Sequence, residues 1–171
     1  MNSTAKSLVF WIVVIAIGFG VWHFATNYQN YQQTSAAQAQ SQTSATIPEF
    51  ITMADPWPYP FSAAVKTGNL IFVSGQIGSV MENGGPVLVK GGMEVEARQA
   101  LDNVKAIVTK AGSSMDRVVK CSVMLADMNE WPAFNTIYAA YFPGKKPARS
   151  AWGATGLALG ARVEVECIAV K

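Results

Sequence analysis

The sequence predicts an α+β fold: two helices on one face of a mixed sheet, preceded by one N-terminal transmembrane helix. Three observations carry this. A charge-free apolar run occupies residues 8–25. Beyond residue 47, segments alternating with a period of two exchange with segments whose apolar residues recur every three or four. Their order is strands, helix, strand, helix, strands, the grouping of an α+β sandwich.

The apolar run (LVFWIVVIAIGFGVWHFA) has His23 as its one strongly polar residue. As a helix rising ~1.5 Å per residue it crosses most of a ~30 Å hydrocarbon layer. Trp11 and Trp22 stand near its ends, where indole rings favour the interface. The rival reading is a cleaved signal peptide. The run is long for one, however, and the small-x-small site Ala37-Gln38-Ala39 lies well downstream. We therefore expect a retained, single-pass anchor in contact with the lipid bilayer through residues 8–25. Lys6 is its one flanking charge, which places the N-terminus in the cytoplasm and the domain on the extracytoplasmic, periplasmic side. His23 reads either as an interfacial polar residue or as an axial ligand to a tetrapyrrole shared with a partner.

Residues 27–46 (NYQNYQQTSAAQAQSQTSAT) carry no charge and little to bury, a composition expected of an irregular, flexible tether. The chain thus divides into an anchor (1–26), a Gln/Ser/Thr/Ala-rich linker (27–46) and a folded domain (47–171).

In the domain, residues 69–74 form a β-branched and aromatic run after the turn Lys66-Thr67-Gly68. Gly84-Gly85-Pro86 breaks the chain, and 87–89 is a short strand. Residues 94–111 are the clearest helix, with Ala97, Leu101, Val104, Val108 and Ala111 on one face. Gly112 suits its C-terminal cap and Lys110 its dipole. Residues 118–126 read as a strand. Asn129 is placed to cap a second helix running to Phe142, with Trp131, Phe134, Tyr138 and Tyr141 on one face. Residues 149–153 and 162–170 are the closing strands, the last presenting Val163, Val165, Cys167 and Ala169 to one side. The second face of the sheet is apolar enough to call for self-association or a partner.

Composition excludes several chemistries. With 13 basic and 11 acidic residues there is no basic stripe, so no nucleic-acid partner is expected. The one histidine lies in the apolar run, which leaves the domain no imidazole for a Ser-His-Asp triad, a Cys-His pair or a histidine-rich zinc site. Cys121 and Cys167 form no CxxC motif. They are either two buried small residues or, in an oxidising compartment, a disulfide.

Several segments resemble one family. They are Pro60-Phe61-Ser62-Ala63-Ala64-Val65, Gly68-Asn69-Leu70-Ile71-Phe72-Val73-Ser74-Gly75-Gln76-Ile77 and Ala97-Arg98-Gln99-Ala100-Leu101-Asp102-Asn103-Val104. Further on come Val118-Val119-Lys120, Pro147-Ala148-Arg149-Ser150 and Val163-Glu164-Val165-Glu166. Together they resemble the RidA (YjgF) family over nearly all of residues 58–171, leaving out the anchor and linker. The resemblance implies a chorismate-mutase-like α+β fold and a homotrimer with clefts between subunits. It also implies cofactor-independent, metal-independent hydrolysis of reactive imines and enamines such as 2-aminoacrylate to a keto acid and ammonia. By the same resemblance Arg149 binds the substrate carboxylate and Glu164 positions the water, while Ser74, Gly75 and Asn135 fall on further cleft positions. The residue types suit these roles, a guanidinium fork for a carboxylate and a glutamate to orient water.

The chain departs from the family at the cleft lip. Phe61 stands where the family has an aromatic hydroxyl, Ala151 and Trp152 follow Arg-Ser in place of a frequent cysteine, Gly78 replaces a common proline, and the glycine-rich stretch 153–160 lacks another. Two functions follow as expectations. One is a membrane-tethered imine deaminase taking small 2-imino or enamine acids. The other is a non-catalytic accessory subunit of a larger membrane complex, respiratory or photosynthetic, in which the anchor and linker contact membrane-protein partners.

Overall fold

The structure, a computed structural model, describes residues 3–43 and 47–171, with side chains of the first helix described over 15–36. It separates into two compact units, Met1–Ala45 and Thr46–Lys171, each described here by itself.

The first unit is a single helix, α1 (Ser3–Thr43). Among the described residues no helix is long and apolar enough to cross a membrane. Lys6, Trp11 and the start of the apolar run lie outside the described side chains. Where the composition led us to expect an irregular tether, the backbone stays helical to Thr43. The reason is local: Gln and Ala are good helix formers, and Thr34 and Ser35 return their hydroxyls to the carbonyls of Asn30 (2.7 Å) and Tyr31 one turn back. His23 Nδ1 lies 3.0 Å from the Asn27 amide nitrogen, also one turn away.

The second unit contains β1 (Glu49–Ile51), β2 (Ala64–Thr67), β3 (Leu70–Ile77), β4 (Ser79–Glu82), β5 (Gly85–Leu88), α2 (Met93–Lys110), β6 (Val118–Leu125), α3 (Trp131–Tyr141), β7 (Ala148–Gly153) and β8 (Val163–Val170). Six strands form a mixed sheet in the order β1-β2-β3-β8-β6-β7, antiparallel except for the β6–β7 pair. This is the mixed α+β fold expected.

The core follows the apolar faces read from the sequence. Ala97, Leu101, Val104 and Val108 of α2 are fully buried, as are Val163, Val165 and Ala169 of β8 and Val123 and Leu125 of β6. Phe134 and Ile137 of α3 join them. Each large side chain so buried contributes about 1.5–3 kcal/mol. Gly112 takes φ +85° just past α2, as a left-handed helix terminator does. The second helix begins differently from the expectation. Asp127 accepts a hydrogen bond from the Asn129 backbone N–H (2.9 Å), capping a short turn from Met128 to Glu130, and α3 starts after it at Trp131 with Pro132 in its first turn. Asn129 is the capped residue, not the cap.

The short strand expected at 87–89 is β5, which begins earlier and includes Gly85 and Pro86 of the expected break, and it pairs with β4 in a hairpin that was not expected. Its signal was present: Asn83 (φ 49°) and Gly84 (φ 83°) are both left-handed and sit between paired strands, the Asn-Gly turn typical of two-residue hairpins. Gly78 is required by packing, because a Cβ there would lie 2.4 Å from Glu96 Cα. Replacing the family's proline, it lets α2 close onto the end of β3.

Cys121 and Cys167 are directly opposed on β6 and β8, with Cα atoms 4.1 Å apart, and form a disulfide. Of the two readings open in the sequence, burial and pairing, both hold.

Candidate functional site

The sequence-named residues gather at two places. The first is at the sheet edge. Arg149 lies on β7, in register with Cys121 of β6, which places it on the helix-covered face beside α3. Its terminal nitrogen donates to Asn135 Oδ1 (2.7 Å), and its guanidinium carbon sits 4.6 Å from the Tyr138 ring centroid. The Trp131 and Phe134 rings lie a little further off, at 5.9 and 6.0 Å. A guanidinium stacked on an aromatic face keeps its charge while its in-plane N–H fork stays available to a carboxylate. Tyr138 is the residue sequence reasoning missed here. Its pKa is pushed up to about 12 by burial, partly offset by Arg149, and its hydroxyl has no hydrogen-bond partner among the described residues. The helix-face periodicity had assigned it to the core alone.

The second place lies on the opposite sheet face. Glu164 of β8 is in register with Ile77 of β3 and Met124 of β6. It lines a cavity of about 360 Å³ together with Gly75, Phe61, Trp57, Tyr59 and Leu159. The β3–β8 ladder is interrupted between Val73 and Gln76. Ser74 and Gly75 sit in that irregularity, a device that re-aims side chains beside functional sites. A Cβ on Gly75 would lie 1.9 Å from Glu164 Oε1, so only glycine lets the carboxylate rest against this strand. Burial, and secondly the Glu166 carboxylate two residues on, raise the Glu164 pKa above the usual glutamate value. Ser74 Oγ donates to the Ser62 carbonyl (2.7 Å), tying the segment before β2 to this site.

Phe61 is half-exposed at the cavity wall and stacks on Tyr59 at 5.2 Å, while Tyr59 meets Trp57 edge-on at 5.0 Å. The Trp57 indole N–H donates to the Phe61 carbonyl, which holds the three rings in one group. Opposite them, Leu159 has φ +57°, a left-handed conformation that costs a leucine about 1–2 kcal/mol. The strand carrying Glu164 is fixed at its start by Arg162, whose side chain pairs with Glu130 (2.7–3.0 Å) and whose backbone N–H donates to buried Glu96 (2.8 Å).

One chain therefore unites Arg149 with Asn135, and Glu164 with Gly75 and Phe61, but does not unite the two groups. Arg149 and Glu164 lie on opposite faces of the sheet with β6 between their strands, and Arg149 does not line the Glu164 cavity.

Residues 54–171 match the family described as Endoribonuclease L-PSP. A 2-iminobutanoate/2-iminopropanoate deaminase from Mus musculus is 46% identical over 112 residues, covering 66% of this chain and 82% of that protein. Protein HMF1 from Saccharomyces cerevisiae is 43% identical over 111 residues, covering 65% and 84%. Among solved structures, a protein of the conserved Rid family from Yersinia pestis superposes with a TM-score of 0.67 at 34% identity, covering 73% of this chain and 100% of that one. With the motifs, the sheet order and these similarities in agreement, the chain belongs to the Endoribonuclease L-PSP family, the RidA/YjgF family its sequence resembles.

Proposed function

We propose that residues 47–171 hydrolyse small 2-imino and enamine acids to 2-keto acids and ammonia, at sites completed by a second copy of the chain. The observation that carries this is Glu164, its pKa raised beside an open cavity, in a chain that also presents Arg149, stacked on Tyr138 and steadied by Asn135, at the sheet edge. The similarity to the mouse 2-iminobutanoate/2-iminopropanoate deaminase supports the reaction class. Arg149 lies on the edge strand β7, which pairs within its own sheet on one side only. A neighbouring copy docked there presents its Glu164 cavity to this Arg149, as in the homotrimer the resemblance implies.

The reaction is redox-neutral. Arg149 holds the substrate carboxylate through a bidentate fork. Water adds its oxygen to the imine carbon while Glu164 accepts one of its protons. That proton passes to the nitrogen, giving a carbinolamine. The carbinolamine's hydroxyl proton then moves to the nitrogen through Glu164, the C–N bond breaks, a carbonyl forms and ammonia leaves. An enamine first becomes the imine by gaining a proton at its methylene carbon and losing one from nitrogen. A glutamate with a raised pKa is better matched to taking a proton near neutral pH than an ordinary one. The test is turnover of 2-aminoacrylate generated in situ, measured for the chain and for Arg149→Ala. Turnover abolished in the variant supports the reading, and equal rates in the two proteins contradict it.

The tether is part of the same proposal: residues 8–25 lie in a membrane, with the domain on the extracytoplasmic side. Its supports are the absence of charge between Lys6 and Glu49 and the Cys121–Cys167 disulfide, a bond that persists in oxidising compartments. A periplasmic reporter fused after Lys171 should be active. Activity of a cytoplasm-only reporter at that position contradicts this topology. A folded chain that turns over no imine and co-purifies with other membrane proteins is instead the accessory subunit of a complex.

A further inference from the structure

We infer that the Glu164 cavity selects 2-imino acids with a large apolar side chain, aromatic above all, over the smallest members of that class. This rests on the imine-hydrolysis reading above and adds the identity of the side chain.

The first argument is size. The cavity measures about 360 Å³, against the ~150 Å³ that suffices to hold a benzene ring. In the single copy a methyl group leaves most of it unfilled. The second is chemistry. Apart from Glu164, the walls are dominated by Trp57, Tyr59, Phe61, Ile77, Pro86 and Leu159. Two of the neighbouring polar groups are engaged elsewhere, and Ser79 adds one small hydroxyl residue to the lining. The Gln76 amide donates to the Ser74 and Gly75 carbonyls (2.9 Å each), and the Tyr59 hydroxyl contacts Met81 Sδ (3.4 Å). What faces a ligand is mostly ring and aliphatic surface, with one carboxylate among it. Three rings already in stacked and edge-on contact offer a fourth ring the same geometries.

The third argument is strain without burial. Leu159 holds a left-handed conformation although its side chain stays 58% exposed, and the next residue is a glycine that adopts such a conformation at no cost. The fold gains almost nothing from a leucine there. A leucine projected over the cavity mouth gains its contacts when the cavity is filled, and strain concentrated at a ligand-binding lip is the expected pattern. Phe61, half-exposed across from it, stands in the same relation.

The experiment compares kcat/KM of the full chain for imines generated in situ from L-phenylalanine and from L-alanine by an amino acid oxidase. The phenylalanine-derived imine should be favoured at least about tenfold. Phe61→Ala and Leu159→Ala, both at exposed positions, should each lower that ratio several-fold while circular dichroism and melting temperature stay at the parent values. A ratio near one in the parent, or a ratio that neither variant moves, overturns the inference and leaves imine hydrolysis standing. Absence of turnover on both imines overturns the hydrolase reading and the inference with it.

Discussion

In the proposed reaction Arg149 depends on what lies beneath it. The Tyr138 ring and the Asn135 amide fix the guanidinium plane, so losing the fork should cost more than losing the charge. Arg149→Lys and Arg149→Ala are both expected to lower kcat/KM about a hundredfold, since a lysine keeps the charge but cannot grip a carboxylate bidentately. Full activity in the lysine variant contradicts this. Gly75→Ala tests the other half: its methyl would overlap Glu164 Oε1, and displacing a reacting group by about 1 Å costs roughly a hundredfold in rate. In the proposed reaction Glu164 acts as a carboxylate, and its pKa is raised. The rate should therefore fall as pH drops through a value above the ordinary glutamate range, and Glu164→Gln should remove that acidic limb along with most of the rate. For stability the sign is opposite to that of a salt-bridged acid. The contribution of Glu164 is fully present below the ordinary glutamate pKa and is lost as pH rises through the raised one, so Glu164→Gln should not destabilise the domain at neutral pH. A variant that melts well below the parent at pH 7 would count against that environment.

At the scale of elements, periodicity carried most of the fold. The α2 face and the inward side of β8 are buried at the residues the spacing picked out, because repeated positions on one face leave few ways to arrange them. Short elements were less legible. The β4–β5 hairpin was hidden by reading Gly84-Gly85-Pro86 as a breaker, when the two-residue Asn83-Gly84 turn was the stronger signal. The three-residue β1 is set by pairing with β2 and has too few residues to show a period. The disulfide could not be read at all without the register that sets Cys121 opposite Cys167. It closes a loop of 46 residues between β6 and β8, and removing it through Cys121→Ala with Cys167→Ala should cost about 2–4 kcal/mol. Reductant should lower the melting temperature of the parent and leave the double variant unchanged. Equal melting curves with and without reductant would show that the bond contributes nothing.

At the scale of the molecule, the candidate site residues came from a family resemblance. Spacing alone reads Arg149 as a solvated arginine beside Lys145 and Lys146, and Glu164 and Glu166 as the wet side of an alternating strand. Their arrangement explains why: each half of the site sits on a different face of one sheet, so no single-chain pattern joins them. Of the aromatic lip, Phe61 came from the resemblance, while Trp57 and Tyr59 were hidden, since in sequence they belong to a proline-rich loop that becomes a wall only when folded over β3. In the proposed function Arg149 of one copy works with Glu164 of another. Co-expressing full-length Arg149→Ala with full-length Glu164→Gln tests it directly, read as imine turnover beside each variant alone. Two nearly inactive proteins should recover roughly a quarter of the parent rate, because random mixing in a closed ring leaves one site in four with both native groups. Mixed assemblies no more active than the separate variants would contradict a site shared between copies.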